Sequence, residues 1–367
     1  MEMTIPFFGL DRQYASIKEE ILDATNQVLK TGQVLDGINT QLFETAIARR
    51  CNRSFAISVN SGTQALIFAQ MAVMNTPPYS ILIPTVSFIA TINSVLMNNF
   101  TPVFCDIDHK GLIDLDSIEY RLDKSIGAIM YVNLFGNCIN WDKFRMHTEF
   151  FNKDLIIIED AAQSFGASYK GIPSGKMGDV SVLSFDPTKN LNNYGSGGMI
   201  LTDDFSVYEI CRNLKNNGKA REHDVPGTNS KMSEVDCAQM LVKLNHFDKW
   251  QRRRKEIADY YIEELYQYVD ILTPNENVEH AWHKFVIRVD GRSRLQQSLA
   301  LHGIETKIHY DMALFDYNVG YTYVEYNHDL YSETMQFTRE CLSLPIYPEL
   351  TDSEVESIVE KIKYYMV

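Results

Sequence analysis

Long apolar runs, an excess of basic charge, paired cysteine spacing and a glycine-rich dinucleotide fingerprint are all missing from these 367 residues. Each gap removes a class of protein. The most apolar long segment, 80–97, is interrupted by Pro84, Thr85, Ser87, Thr91, Asn93 and Ser94, too polar to span a bilayer. Lys and Arg total 34 against 48 Asp and Glu, a formal net charge of −14 that argues against general affinity for nucleic acid or an anionic membrane. Any phosphate on a ligand therefore needs a local site. The six cysteines (Cys51, Cys105, Cys138, Cys211, Cys237 and Cys341) show neither CxxC nor metal-type spacing, so reduced core thiols in a cytoplasmic protein and no metal are expected. No G-x-G-x-x-G follows the first predicted strand, which sets aside a nicotinamide oxidoreductase. Residues 1–14 include Glu2 and Asp11 and lack a basic region ahead of an apolar stretch, so no signal peptide is expected.

What is present is material for a full core: 45% of the residues are hydrophobic. Apolar residues recur at helical spacing over 11–29 and again over 43–50, before Phe55-Ala56-Ile57-Ser58-Val59 reads as a strand. Asn60-Ser61-Gly62-Thr63 then opens a run of helix formers, 64–74. Short apolar runs at 80–83, 102–105, 128–132 and 155–158 follow, mostly separated by helix-length segments. Continuous rather than alternating hydrophobicity predicts parallel strands covered on both faces, an α/β core. Beyond Gly198 the pattern changes to a strand at 199–201, a polar stretch at 213–230 and a charged amphipathic helix over 242–269. Strands are expected at 281–289 and 305–310 and a terminal helix at 352–365, a smaller α+β lobe. The predicted division is a large domain over 1–245 and a small one over 246–367, with the N-terminal helix free to pack on the latter.

Four features carry chemistry by their order: Ser61-Gly62-Thr63, Glu159-Asp160-Ala161-Ala162-Gln163, Ser184-Phe185-Asp186-Pro187-Thr188-Lys189 and Gly195-Ser196-Gly197-Gly198. None identifies a site alone. Asp160 follows the apolar run 155–158, at the carboxyl end of a strand, where open α/β sheets bind ligands. A carboxylate there can keep the ring nitrogen of pyridoxal 5′-phosphate (PLP) protonated, so that the ring acts as an electron sink; a loop-capping Asp is the plain alternative. Lys189, 29 residues later in a Pro-Thr-Lys-Asn turn, offers an amine for a Schiff base if burial or nearby charge lowers its pKa. Most lysines are instead solvated surface charges. Gly62 and Thr63 at a helix N-terminus present free N–H groups and the positive end of the dipole, and the Thr63 and Ser184 hydroxyls can bond phosphate oxygens. Phe88 can stack on the ring, although packing in a core is the commoner use of a phenylalanine.

Together these motifs resemble the DegT/DnrJ/StrS family of nucleotide-sugar aminotransferases. The likeness covers almost the whole chain: Ile5-Pro6-Phe7, the segments 58–66 and 102–108, Ile158 to Gly166, Gly178-Asp179, Lys189-Asn190-Leu191, Gly303 to Tyr310 and Leu344-Pro345-Ile346-Tyr347-Pro348. The resemblance implies the aspartate aminotransferase type of fold (fold type I). It implies that Lys189 forms the Schiff base, Asp160 pairs with the ring nitrogen and Gln163 bonds the ring hydroxyl oxygen. Gly62, Thr63 and Ser184 would hold the phosphate and Phe88 would stack. A loop from the partner subunit of a homodimer reaches the cofactor in this family, and the matching stretch here is 227–231, with Asn229 at the phosphate. L-glutamate as amino donor and a keto-sugar on a nucleotide diphosphate as acceptor follow from the same likeness.

Several positions depart from the family pattern. Ser196 replaces a usual Glu, Lys231 a usual Arg, and Asp311 to Phe315 replace a Pro-containing run. They leave the sugar open. Lys231, His309, Tyr310 and Arg221 are candidate substrate contacts. A dehydratase branch of the family carries His where Lys189 stands, which disfavours that reading; a regulator that binds PLP without catalysis is the other alternative.

Overall fold

The computed structural model describes residues 4–366 apart from 75, 77, 78, 152, 153, 220, 221, 224 and 325–327; Arg221 thus lies outside the described residues. Two helices, α1 (Leu10–Thr31) and α2 (Ile38–Arg50), precede β1 (Phe55–Val59), α3 (Gly62–Val73), β2 (Ser80–Pro84), α4 (Ala90–Met97) and β3 (Thr101–Cys105). Next come α5 (Leu115–Arg121), β4 (Ile126–Val132), α6 (Trp141–Phe151), β5 (Ile156–Asp160), the short β6 (Ser168–Tyr169) and β7 (Ile172–Pro173), β8 (Val180–Ser184) and β9 (Gly198–Thr202). The chain continues through α7 (Phe205–Lys215), α8 (Glu234–Leu265), β10 (Asp270–Ile271), β11 (Val278–Glu279) and β12 (Phe285–Arg288). It ends with α9 (Arg292–Ala300), α10 (Ser332–Glu340), β13 (Cys341–Leu344) and α11 (Asp352–Met366).

The main sheet has seven strands in the order β1-β9-β8-β5-β4-β2-β3. Alternate residues feed opposite faces. Ile57, Val59, Ile200 and Val182 pack with α3, α4 and α7, while Leu183, Met199 and Leu201 pack with α2 and α8. Burial on both faces is why the strands read as unbroken apolar runs. The expectation of parallel pairing needs one correction: β9 runs antiparallel to both β1 and β8. The residues between β8 and β9, 185–197, contain no helix, so the chain reverses instead of making the crossover that a parallel pair demands. β1, β5 and β8 still share one direction, so Ser61, Asp160 and Ser184 emerge at the same edge.

In the last third, β10, β12 and β13 form a small sheet packed against α8, α9 and α11. The strand expected at 281–289 shortens to Phe285–Arg288. That expected at 305–310 is not a strand: it makes a single bridge, Lys307 to Ser343, and its side chains serve the cleft described below. The helix expected from 242 begins at Glu234, where Ser233 caps it by accepting from the Asp236 amide. It runs unbroken through 245 and 246, so both lobes share it, and Arg254 on its later half is buried under Trp282 and Ile346. Among the described residues no helix is long and apolar enough to cross a membrane.

Beneath the site edge, Glu159 is fully buried and points to the face opposite Asp160. Its carboxylate accepts from Asn133 Nδ2, Ser174 Oγ and the Gly175 amide on Oε1, and from the Met177 amide and Ser181 Oγ on Oε2. These bonds pin loop 174–178 under β5. Glu159→Leu strands those donors and is expected to lower unfolding stability by about 3 kcal/mol in a urea titration.

Candidate active site

A solvent-open cleft lies at the carboxyl edge of the main sheet. Its lining brings together Gly62, Thr63, Phe88, Asp160, Gln163, Ser184, Lys189, His309 and Tyr310, nine positions that the sequence singles out. Each is delivered by a different local device. Ser61 caps α3 by accepting from the Gln64 amide at 3.1 Å, which leaves the amides of Gly62 and Thr63 pointing out of the helix end without intrahelical acceptors. Ser184 is the last residue of β8 and faces that helix end. A Cβ on Gly62 would meet the Ser184 Cβ at 2.8 Å and its Oγ at 3.0 Å, so only glycine lets strand and helix end close into one cradle. Gly62→Ala is expected to weaken PLP binding by roughly tenfold or more, read by cofactor absorbance titration, because helix and strand must part.

Asp160 is 5% exposed. One oxygen accepts from the Ala162 amide at 3.0 Å; the other has no partner among the described residues. Burial lifts its carboxyl to about 6, against the opposing pull of the Ala162 amide and Lys189. Lys189 is held by a tight turn: its amide donates to Asp186 O at 2.9 Å, and the Asp186 carboxylate accepts from the Thr188 amide and hydroxyl. Burial pushes the Lys189 amine below the usual lysine range, with Asp160 and Asp186 pulling the other way. Gln163 accepts from the Phe135 amide at 3.2 Å and donates to the Tyr310 hydroxyl at 3.2 Å, which sets the amide's orientation. Phe88 is 53% exposed on the loop between β2 and α4, at the mouth.

His309 bonds Ser343 Oγ at 2.9 Å, and burial together with Lys284, Lys307 and Lys189 pushes its imidazole down to about 3, so it is neutral. Two predicted positions stay away from this cleft. Asn229 is exposed and bridges Asn216, and Lys231 donates to Asn216 Oδ1 at 2.9 Å. The structure also adds Phe7, Phe8, Asp186, His283, Lys284 and Lys307 to the lining. His283-Lys284 carried a readable signal, two basic residues inside an otherwise apolar run; Phe7 and Lys307 lie in segments that carry the family likeness without being singled out for the site, and Phe8 carried no signal.

A half-buried amine of lowered pKa, a carboxylate with one open oxygen and a glycine-gated cradle of amides and hydroxyls suit the aldehyde carbon, ring nitrogen and phosphate of PLP. Fold and site define a PLP-dependent aminotransferase of fold type I. The family model described as the DegT/DnrJ/EryC1/StrS aminotransferase family matches residues 15–363, and the chain belongs to that family. It is 33% identical over 365 residues, covering 98% of this chain and 99% of its relative, to a dTDP-3-amino-3,6-dideoxy-alpha-D-galactopyranose transaminase of Aneurinibacillus thermoaerophilus. It is 32% identical over 367 residues, 98% of each chain, to a pleiotropic regulatory protein of Geobacillus stearothermophilus. Among solved structures, S. venezuelae DesV in complex with a ketimine intermediate superposes with a TM-score of 0.94 at 29% identity, covering 99% of this chain and 98% of that one.

Proposed function

We propose that the protein moves an amino group from L-glutamate to the keto group of a nucleotide-diphosphate-linked keto-deoxysugar, making an amino-sugar for a surface polysaccharide or glycoconjugate. The observation that carries this reading is the convergence of Lys189, Asp160 and the Gly62–Ser184 cradle in one cleft. When bound, PLP supplies an electron sink and the carbon that takes up the amino group from the donor and yields it to the acceptor. Lys189 would hold the cofactor covalently, and its amine, of lowered pKa, would carry the proton to and from the substrate carbon. Asp160, ionised, keeps the ring nitrogen protonated. Thr63, Ser184 and the α3 amides would hold the phosphate, Gln163 would bond the ring hydroxyl and Phe88 would stack on the ring.

The transaminase relative supports a sugar nucleotide as acceptor. Asn229 and Lys231, displayed away from their own cleft, support a homodimer in which each loop completes the neighbouring site. Six free cysteines support action in the reducing cytoplasm. A regulatory role is the second reading, favoured by the name of one relative. To decide, the PLP-loaded protein is titrated with L-glutamate, freed of it, and supplied with dTDP- or UDP-linked keto-sugars. Conversion to the amine form, reversed by a keto-sugar with one amino-sugar made per site, is the expected result. A PLP form that no amino acid discharges would sink the transaminase reading and leave the regulator.

A further inference from the structure

We infer that Lys284, with Lys307 beside it, forms a subsite for a carboxylate carried by a substrate in the cleft onto which Lys189 opens. This rests on the transaminase reading for the identity of the substrate, but not for the existence of the anion site. Lys284 stands immediately before β12, its amide tied to Phe135 O at 3.1 Å, so its backbone is fixed by the fold. The residue is 8% exposed, yet it lines the cleft. Its ammonium nitrogen lies 4.9 Å from the centre of the Phe7 ring, and that of Lys307 lies 5.4 Å from the same ring and 5.0 Å from that of Phe8. Two amines thus flank one aromatic wall.

Neither has an acidic partner among the described residues. Around Lys284 stand Lys189 from the turn after β8, Arg254 from α8, Lys307 from 305–310, and the neutral His283 and His309. The acid whose charge acts on Lys284 is Asp186, whose Oδ1 is already taken by Thr188, while Glu305 Oε2 accepts from the Phe7 amide at 3.0 Å. A buried lysine ringed by like charge is costly unless a counter-charge arrives, and packing alone would be served by an apolar side chain of that length. Burial first, then those cations, hold Lys284 well below the usual lysine range. Capture of an anion raises that pKa again, so binding takes up a proton and weakens as pH rises. The carboxylate has two chemical sources: the distal group of a dicarboxylic amino donor, or an acidic group on the sugar.

The test uses the PLP-loaded protein, Lys284→Met, which keeps the stem length, and Lys284→Arg, which keeps the charge. Calorimetry with glutarate probes the donor source, and UDP-glucuronate against UDP-glucose probes the sugar source. Methionine is expected to weaken glutarate, or to erase the preference for UDP-glucuronate, by roughly 10- to 100-fold, with Arg restoring much of it. The glutamate-to-glutamine preference in cofactor discharge should fall in parallel if the donor is the source. In the wild type the affinity should drop with rising pH, and buffers of different ionisation enthalpy should reveal proton uptake. Either source supports the subsite. Equal binding of all these anions by wild type and Lys284→Met overturns it, as does loss of the cofactor band in that variant, which would assign Lys284 to PLP itself. Glutarate bound through Lys284 in a protein that discharges with no amino acid would keep the subsite and discard the transaminase reading.

Discussion

Lys189→Ala is expected to lose the visible band of the lysine-linked cofactor and to slow transamination by at least about 1000-fold, since both the covalent link and the proton carrier disappear together. Stability should change little by comparison, because the side chain makes no ion pair among the described residues and its burial is unfavourable to its charged form. Two further readings separate chemistry from damage. Small primary amines added to the variant should restore part of the rate by occupying the vacated space and carrying the proton. In the wild type the donor half-reaction should accelerate as pH rises through the lowered Lys189 pKa, because the neutral amine is the competent form; the variant should lose that limb. An unchanged band in Lys189→Ala would mean that another amine in the cleft makes the link.

Asp160→Asn preserves shape and still accepts from the Ala162 amide, but cannot bear the charge that keeps a pyridinium proton in place. The expected loss is about 100- to 10,000-fold in rate, with PLP still bound by its phosphate. Cofactor-free stability should move the other way. Burial lifts the Asp160 carboxyl to about 6, above its value in an unfolded chain, so the fold opposes ionisation. That cost is absent below about pH 4, grows as pH rises, and is complete above 6, where it is worth about 3 kcal/mol. The apo variant should therefore melt at a higher temperature than the apo wild type at pH 8, and with no such advantage at pH 4. Adding PLP should remove the difference at pH 8 by giving the wild-type carboxylate its counter-charge. If the apo variant is less stable at pH 8, Asp160 contributes to folding rather than waiting for a cation.

Much of this was open to reading in one dimension, for a physical reason. Strands buried on both faces must be largely apolar, so β1 and β5 announced themselves, and the polar residues that end them had to stand at the ligand edge. Ser61, Gly62 and Thr63 were legible because a helix start needs a cap and a close approach needs glycine; Asp160 was legible because it closes such a strand, and Lys189 because it stands in a Pro-Thr-Lys-Asn turn at a fixed order after Asp160. These are local constraints, and the chain alone determined them. The reversal of β9 was not legible, since an apolar run has the same composition in either direction and only the helix-free connection from β8 decides it. Nor was the failure of 305–310 to become a strand, for its alternating pattern finds only Ser343 to pair with. Lys284, Lys307 and Phe7 come from segments far apart in the chain, and no spacing rule joins them. What only the tertiary structure decided is that these two amines share one aromatic wall without a carboxylate between them, because charge balance belongs to a place in space and not to a stretch of sequence.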